Sequence, residues 1–182
     1  MSDPWDDLTT LRAHLWDRLA LGAARSDDPF RFVAFATAGR HGPEARMVGL
    51  RRADAKASLV EVHSDLRTGK VAALRHDPRA TLLFWDAATQ VQLRVNVICD
   101  IVPADPDRWA GVPSAARDNY GTDPAPGVPL SDPANLTRTP DIDRFVALPG
   151  RVTRMDAVSL AHAPHRRAVF EGPDLIGQWV AP

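Results

Sequence analysis

The sequence predicts a mostly β chain (β+α): an antiparallel β-barrel with peripheral helices. Three observations point to it. Short apolar runs follow one another across short, turn-rich connections, the spacing of antiparallel partners. From Val91 to Val102 the pattern alternates. Gln92, Arg94, Asn96 and Asp100 are polar between apolar neighbours, which makes a strand with one wet and one dry face. The long helical patterns that a doubly wound parallel sheet needs between its strands are missing.

The elements follow in order. Asp3 and Pro4 resemble an N-cap and a first helical position, with Asp6 and Asp7 in the first turn, where the helix dipole favours anions. Trp5, Leu8, Leu11, Leu15, Trp16 and Leu19 then recur at helical spacing as a packing stripe. Strands are expected at 32–37, 45–51 and 58–63, joined by the turn residues 39–43 and 53–57. A short helix from about Thr68 to Arg75 ends at His76-Asp77-Pro78. Strands 80–85 and 91–102 carry the strongest β-signals. A weaker helix is expected from Arg108 to Tyr120, and an irregular proline-rich loop over 121–140. Strands return at 144–148, 151–160 and 166–170, with Trp179-Val180 as a terminal edge.

At 182 residues and 45% hydrophobic content, the chain suits a single domain with a real core. Its expected parts are an N-terminal helix (1–25), a core half (30–102), the loop (121–140) and C-terminal strands (141–182). With 22 basic and 23 acidic residues, the net charge of −1 argues against a nucleic-acid partner held by bulk positive charge. The single cysteine, Cys99, lies in an apolar run and reads as a small buried residue. His162 and His165 are too isolated to suggest a metal site. The acidic start Met1 to Asp7 has no apolar signal core, and no run approaches the roughly 18 apolar residues of a membrane span. A cytoplasmic protein with no membrane partner is expected.

Chemistry concentrates between Arg46 and Val95. Arg46 opens a strand, and Lys70 lies in a short helix with Arg67 and Thr68 at its start. A helix N-terminus with a hydroxyl, an Arg and a Lys suits a phosphate. A flavin ring further needs flat apolar walls and hydrogen bonds to its polar edge. Val48-Gly49-Leu50 offers main-chain groups for this, and Gln92 a side-chain amide.

Arg46-Met47-Val48-Gly49-Leu50-Arg51, His63-Ser64, Arg67-Thr68-Gly69-Lys70, Asp77-Pro78-Arg79-Ala80 and Gln92-Leu93-Arg94-Val95 together resemble the FMN-binding half of the pyridoxamine 5′-phosphate oxidase family. The resemblance implies a split β-barrel that dimerises with FMN at the subunit interface. It implies that Arg46 and Lys70 contact the FMN phosphate, helped by Thr68 or Arg67. Val48 and Leu50 would line the isoalloxazine, His63 and Ser64 would lie along the cofactor, and Gln92 would reach the ring from the other subunit or the next strand. Met47 and Gly49 belong to the same motif.

The sequence also departs from the family pattern. Arg51 stands where a substrate-serving Lys is usual, and Gly69 where an Arg precedes the helix Lys. In the C-terminal Arg-x-His-x-Arg run, His165 and Arg167 are kept but the first Arg is Ala163. The implied function is an FMN-dependent oxidoreductase with an altered small-molecule substrate. Arg51, Arg117, Tyr120, His165 and Arg167 are the candidate substrate residues. A non-catalytic FMN-binding or sensory protein, and the same barrel holding a deazaflavin or haem, stand as alternatives.

Overall fold

The computed structural model describes residues 3–182, so the first two residues of the acidic N-terminal stretch lie outside the described chain. Six strands close into an antiparallel barrel: β1 (Phe32–Gly39), β2 (Gly42–Asp54), β3 (Leu59–Asp65), β4 (Arg79–Asp86), β5 (Val91–Cys99) and β9 (Phe145–Ser159). The order around the ring is β3-β2-β1-β4-β5, and β9 closes it by pairing with both β5 and β3. Outside the ring, β10 (Arg166–Glu171) and β11 (Ile176–Val180) extend the sheet from the second half of β9. The small strands β6 (Val102–Pro103), β7 (Thr122–Asp123) and β8 (Thr137–Arg138) lie in the excursion between β5 and β9.

Strand alternation fills the barrel. Val33, Phe35, Val48, Leu50, Val60, Val62, Leu82, Phe84, Leu93 and Val95 are buried in one core. Each large apolar side chain so buried contributes about 1.5–3 kcal/mol. Cys99 is buried in this core as expected, and burial pushes its thiol up to about 12, so it is inert.

Four expectations are corrected. Asp3 caps only a 3-10 turn, Pro4–Asp6, and Asp7 caps the main helix α1 (Leu8–Ala24) by accepting from Thr10 N–H at 2.8 Å. The first strand pair is longer than expected, and β2 runs on to Asp54. The weak helix at 108–120 is two short helices, α3 (Pro106–Ala110) and α4 (Ser114–Arg117), then a 3-10 turn to Tyr120. The strands expected at 144–148 and 151–160 are one strand, β9. Pro149-Gly150 read as a break, but it is where β9 passes from β3 to β5. A Cβ on Gly150 would stand 2.9 Å from Val97 Cβ, so the crossing needs a glycine.

The remaining helix, α2 (Gly69–His76), packs on β1 at one end of the barrel with Val71 and Leu74 inward. Among the described residues, no helix is long and apolar enough to cross a membrane.

Candidate functional site

The barrel is split between β2 and β3. Their pairing covers only Leu50 to Asp54 against Val62 to Leu59. Beyond it the strands part, and among the described residues the edge of β2 from Gly42 to Gly49 has no strand partner on the β3 side. Leu50 N–H donates to Arg31 O (2.9 Å), so its main chain faces β1. Main-chain groups alternate along a strand, which turns those of Met47 and Gly49 into the split.

A cation cluster lies at the end of this split. Lys70, in the first turn of α2, donates from Nζ to Ser64 Oγ at 3.0 Å. Ser64 is buried and shares a 3.0 Å hydrogen bond with Thr68 Oγ1. Arg46 reaches Thr37 Oγ1 at 2.9 Å, Phe35 O at 3.1 Å and the half-exposed Glu44 at 3.1 Å. Burial, and then the charge of Arg46, push the Lys70 ammonium below the usual lysine value, with Asp65 acting weakly the other way. Asp65 is already occupied by Arg67, through contacts of 3.0 and 2.6 Å. Two partly buried cations thus share one hydroxyl-lined site, with one rim carboxylate, Glu44, on Arg46. The donors suit a phosphate.

Arg67 is corrected here. Its guanidinium holds Asp65 and donates to Thr122 O at 2.8 Å, so it clamps the loop instead of joining Lys70. Val48 and Leu50 are corrected too. Their side chains are in the barrel core, so outer-face contacts on β2 fall to Met47, which is 62% exposed, and to Gly49 and Arg51. Alternation also separates His63 from Ser64. Ser64 faces Lys70, whereas His63 faces outward beneath α3 and α4, its ring T-shaped against Phe145 with centroids 4.9 Å apart.

Arg51 folds back over Gly49, with its guanidinium carbon 3.1 Å from where a Gly49 Cβ would stand. It lines a cavity of about 370 Å³ with Arg31, Arg108, Glu61 and His63. Burial, and then Arg51's charge, lower the Arg31 guanidinium below its usual value. Tyr120 is buried in the aromatic cluster with Trp109 and Phe145; burial pushes its phenol up, and Arg51 pulls it partly back. Arg117, expected to meet substrate, instead caps Val112 O at 3.1 Å and Trp109 O at 3.2 Å and lies over the Trp109 ring.

Gln92 and Arg167 stand apart from Lys70 within the chain. Gln92 is on β5, three strands around the ring from β2, so the next-strand route to the site is closed. Arg167 is on β10, outside the ring, with both its bonds on Asp156 at 2.9 Å; His165 lies exposed in the loop before it. Glu61 and Arg108 were not picked out from the sequence. The one available signal is a Glu two residues before His63, and so on the same face of β3.

A barrel split between two strands, with a phosphate-type cation cluster at the end of the split, defines a class of cofactor-binding proteins. A family model described as pyridoxamine 5′-phosphate oxidase, FMN-binding domain, matches residues 9–103. The match spans more than half of the chain, and the chain belongs to that family. It is 28% identical over 98 residues to pyridoxine/pyridoxamine 5′-phosphate oxidase 2 of Arabidopsis thaliana, across 51% of this chain and 50% of that protein. The alignment thus spans about half the length of that relative.

Among solved structures, the chain is similar to a pyridoxamine 5′-phosphate oxidase-related, FMN-binding protein of Nostoc punctiforme PCC 73102, with 19% identity, a TM-score of 0.74 and 100% of both chains covered. It is also similar to PhzG of Burkholderia lata 383, solved with tetrahydrophenazine-1-carboxylic acid, with 20% identity, a TM-score of 0.76, and 100% and 98% of the chains covered. These two likenesses establish the split-barrel fold.

Proposed function

We propose that the chain is an FMN-binding flavoprotein and an oxidoreductase acting on a small anionic substrate. One observation carries this: Lys70 and Arg46, both partly buried and with only the half-exposed Glu44 as a carboxylate partner, lie at the end of the split whose edge carries the main-chain groups of Met47 and Gly49. Lys70, Arg46, Ser64 and Thr68 would hold the FMN phosphate, and the edge of β2 would bond the ring. Bound FMN supplies a two-electron acceptor. The protein's own part is to bind, orient and exclude water. Arg51, which pairs with no carboxylate among the described residues, would hold the substrate's anionic group.

We further propose a homodimer. Phe32, Met47, Leu83 and Trp85 leave an exposed apolar band on the outer face of β1, β2 and β4, beside Gln92 and Arg94 on β5. A second copy packed there would bring its Gln92, His165 and Arg167 to the cofactor, which one protomer's geometry does not allow.

The test is to add excess FMN to the purified protein, desalt it and record the visible spectrum and flavin fluorescence. Retained flavin with shifted bands, lost on Arg46→Ala or Lys70→Ala, supports the reading. Release of all FMN at concentrations where light scattering shows a dimer overturns it, and the same spectra taken with a deazaflavin or haem then separate the alternatives. Turnover above free-flavin background, tried with pyridoxamine phosphate and then with other reductants, separates an enzyme from a sensor.

A further inference from the structure

Among the described residues, four buried side-chain atoms lack a hydrogen-bond partner, and two of them, His63 Nδ1 and Arg51 Nε, belong to residues lining the same cavity. Leaving buried polar atoms unpaired is costly, and such atoms cluster where a ligand completes them. The His63 side chain is only 9% exposed and is held from one side. Its Nε2 lies 3.0 Å from Glu61 Oε1, and Arg108 Nε donates to Glu61 Oε2 at 2.9 Å. Burial pushes the Glu61 carboxyl up, but the hydrogen bonds from His63 and Arg108 outweigh it and leave it below the usual value. Glu61 Oε2 accepts from Arg108, and with Oε1 accepting from His63 Nε2 the neutral imidazole carries its proton on Nε2 and its lone pair on Nδ1.

We propose that Glu61 and His63 form a proton-accepting dyad. Its ligand is a small acid that places its anion on Arg51 and offers an O–H or N–H to His63 Nδ1. In the transfer, the ligand's O–H or N–H bond breaks, an Nδ1–H bond forms, and the electron pair stays on the ligand's oxygen or nitrogen. Glu61 stabilises the resulting imidazolium, as a carboxylate does for any histidine it orients. Arg108 favours the charged form of Glu61 from α3, and Asp105 Oδ2, accepting from Arg108 Nη1 at 2.7 Å, holds that arginine in place. The charged and titratable groups around His63 are thus Glu61 on β3, Arg108 and Asp107 on α3, Arg51 and Arg52 on β2, Arg31 just before β1, and Tyr120 beyond Arg51. The inference names a residue and a substrate class for the proposed flavin site, and its use in oxidation rests on that reading.

The test is imidazole ¹⁵N NMR on the full chain without cofactor, titrated with 3-hydroxybenzoate and, as a control lacking the hydroxyl, benzoate. The expected result is a His63 Nδ1 signal that starts pyridine-like and moves toward pyrrole-like with 3-hydroxybenzoate alone, and binding of that probe about fivefold tighter than benzoate. Arg51→Gln should weaken both probes. His63→Gln should remove the preference, and Glu61→Gln, which keeps the shape of the side chain, should shrink it. An unmoved Nδ1 signal, equal binding of the two probes, or a preference that survives His63→Gln overturns the dyad. If the titration succeeds and FMN is not retained, the cofactor reading fails alone. If FMN is retained and the titration fails, the dyad alone is wrong.

Discussion

Two clusters of cationic side chains sit on this barrel, and they are built in opposite ways. Around Asp156, which is 1% exposed, Arg94 lies at 2.7 Å, Arg167 at 2.9 Å and Arg154 at 3.3 Å. The carboxylate is the centre and the cations cover it. At the split, Lys70 and Arg46 converge with hydroxyls between them, and the nearest buried carboxylate, Asp65, is already held by Arg67. Cations gathered around a buried carboxylate hold strands together. Cations gathered without one leave a charge that an external anion can satisfy. The position of the acid, more than the number of bases, separates a structural cluster from a binding one.

The largest test of that contrast is Asp156→Ala, which leaves Arg94 and Arg167 without their acid while Arg154 keeps Glu171 at 2.9 Å. It should cost about 3 kcal/mol in urea unfolding, less than a fully buried pair would, because the guanidinium groups left behind are about a third exposed. Acid titration reports the same group. The Arg167 hydrogen bonds, opposed by burial and then aided by Arg94, hold the Asp156 carboxyl at about 2 against a usual 3.8. Its contribution is therefore complete above 3.8 and is lost as pH falls through 2, in total about 2 kcal/mol. An acid-unfolding curve that Asp156→Asn leaves unchanged would remove it as the centre of the cluster.

Arg67→Ala comes next, with an expected loss of about 2–3 kcal/mol, because Asp65 loses a charge-assisted pair. FMN retention should stay near wild type, since Arg67 clamps Thr122 O and not the phosphate site. A large loss of FMN with little loss of stability would reverse that assignment.

Lys70→Met should show the opposite pattern. FMN affinity should fall about ten- to a hundredfold, while the ligand-free Tm holds or rises. Because the Lys70 pKa is lowered on folding, its charge costs stability below the folded value. That cost is relieved as pH rises toward 10.5, so ligand-free wild type should gain on the variant in that direction.

The smallest effect is expected from Gly49→Ala. Its Cβ meets only the flexible tip of Arg51, so stability should change by less than about 1 kcal/mol, while the affinity for benzoate shifts. A collapse in stability would mean that the strand, and not Arg51, is what Gly49 protects.

The contrast between the clusters also marks what the sequence could show. The barrel was legible because inside and outside alternate along β5, and Arg46, Ser64, Thr68 and Lys70 were legible because helix starts and strand ends announce themselves locally. Arg67 and Arg117 misled because an Arg reads as free charge until its acceptor is known, and their acceptors Thr122 O and Val112 O belong to an irregular segment without a pattern. Glu61 escaped notice because its partner Arg108 is 47 residues away. The motif names Val48 and Leu50 but not the strand face they take, and the core claims both.

β9 bears on how the protein can be made and cut. The ring closes only when Phe145–Ser159 arrives, and the region matched by the family model, 9–103, supplies five of the six staves. A ribosome would display β1 to β5 with β3 and β5 as bare edges until the last fifth of the chain emerges. Bare edges recruit other strands. A fragment cut to the family boundary should therefore be recovered as aggregate, and adding 145–159 back as a separate peptide should rescue it by strand addition.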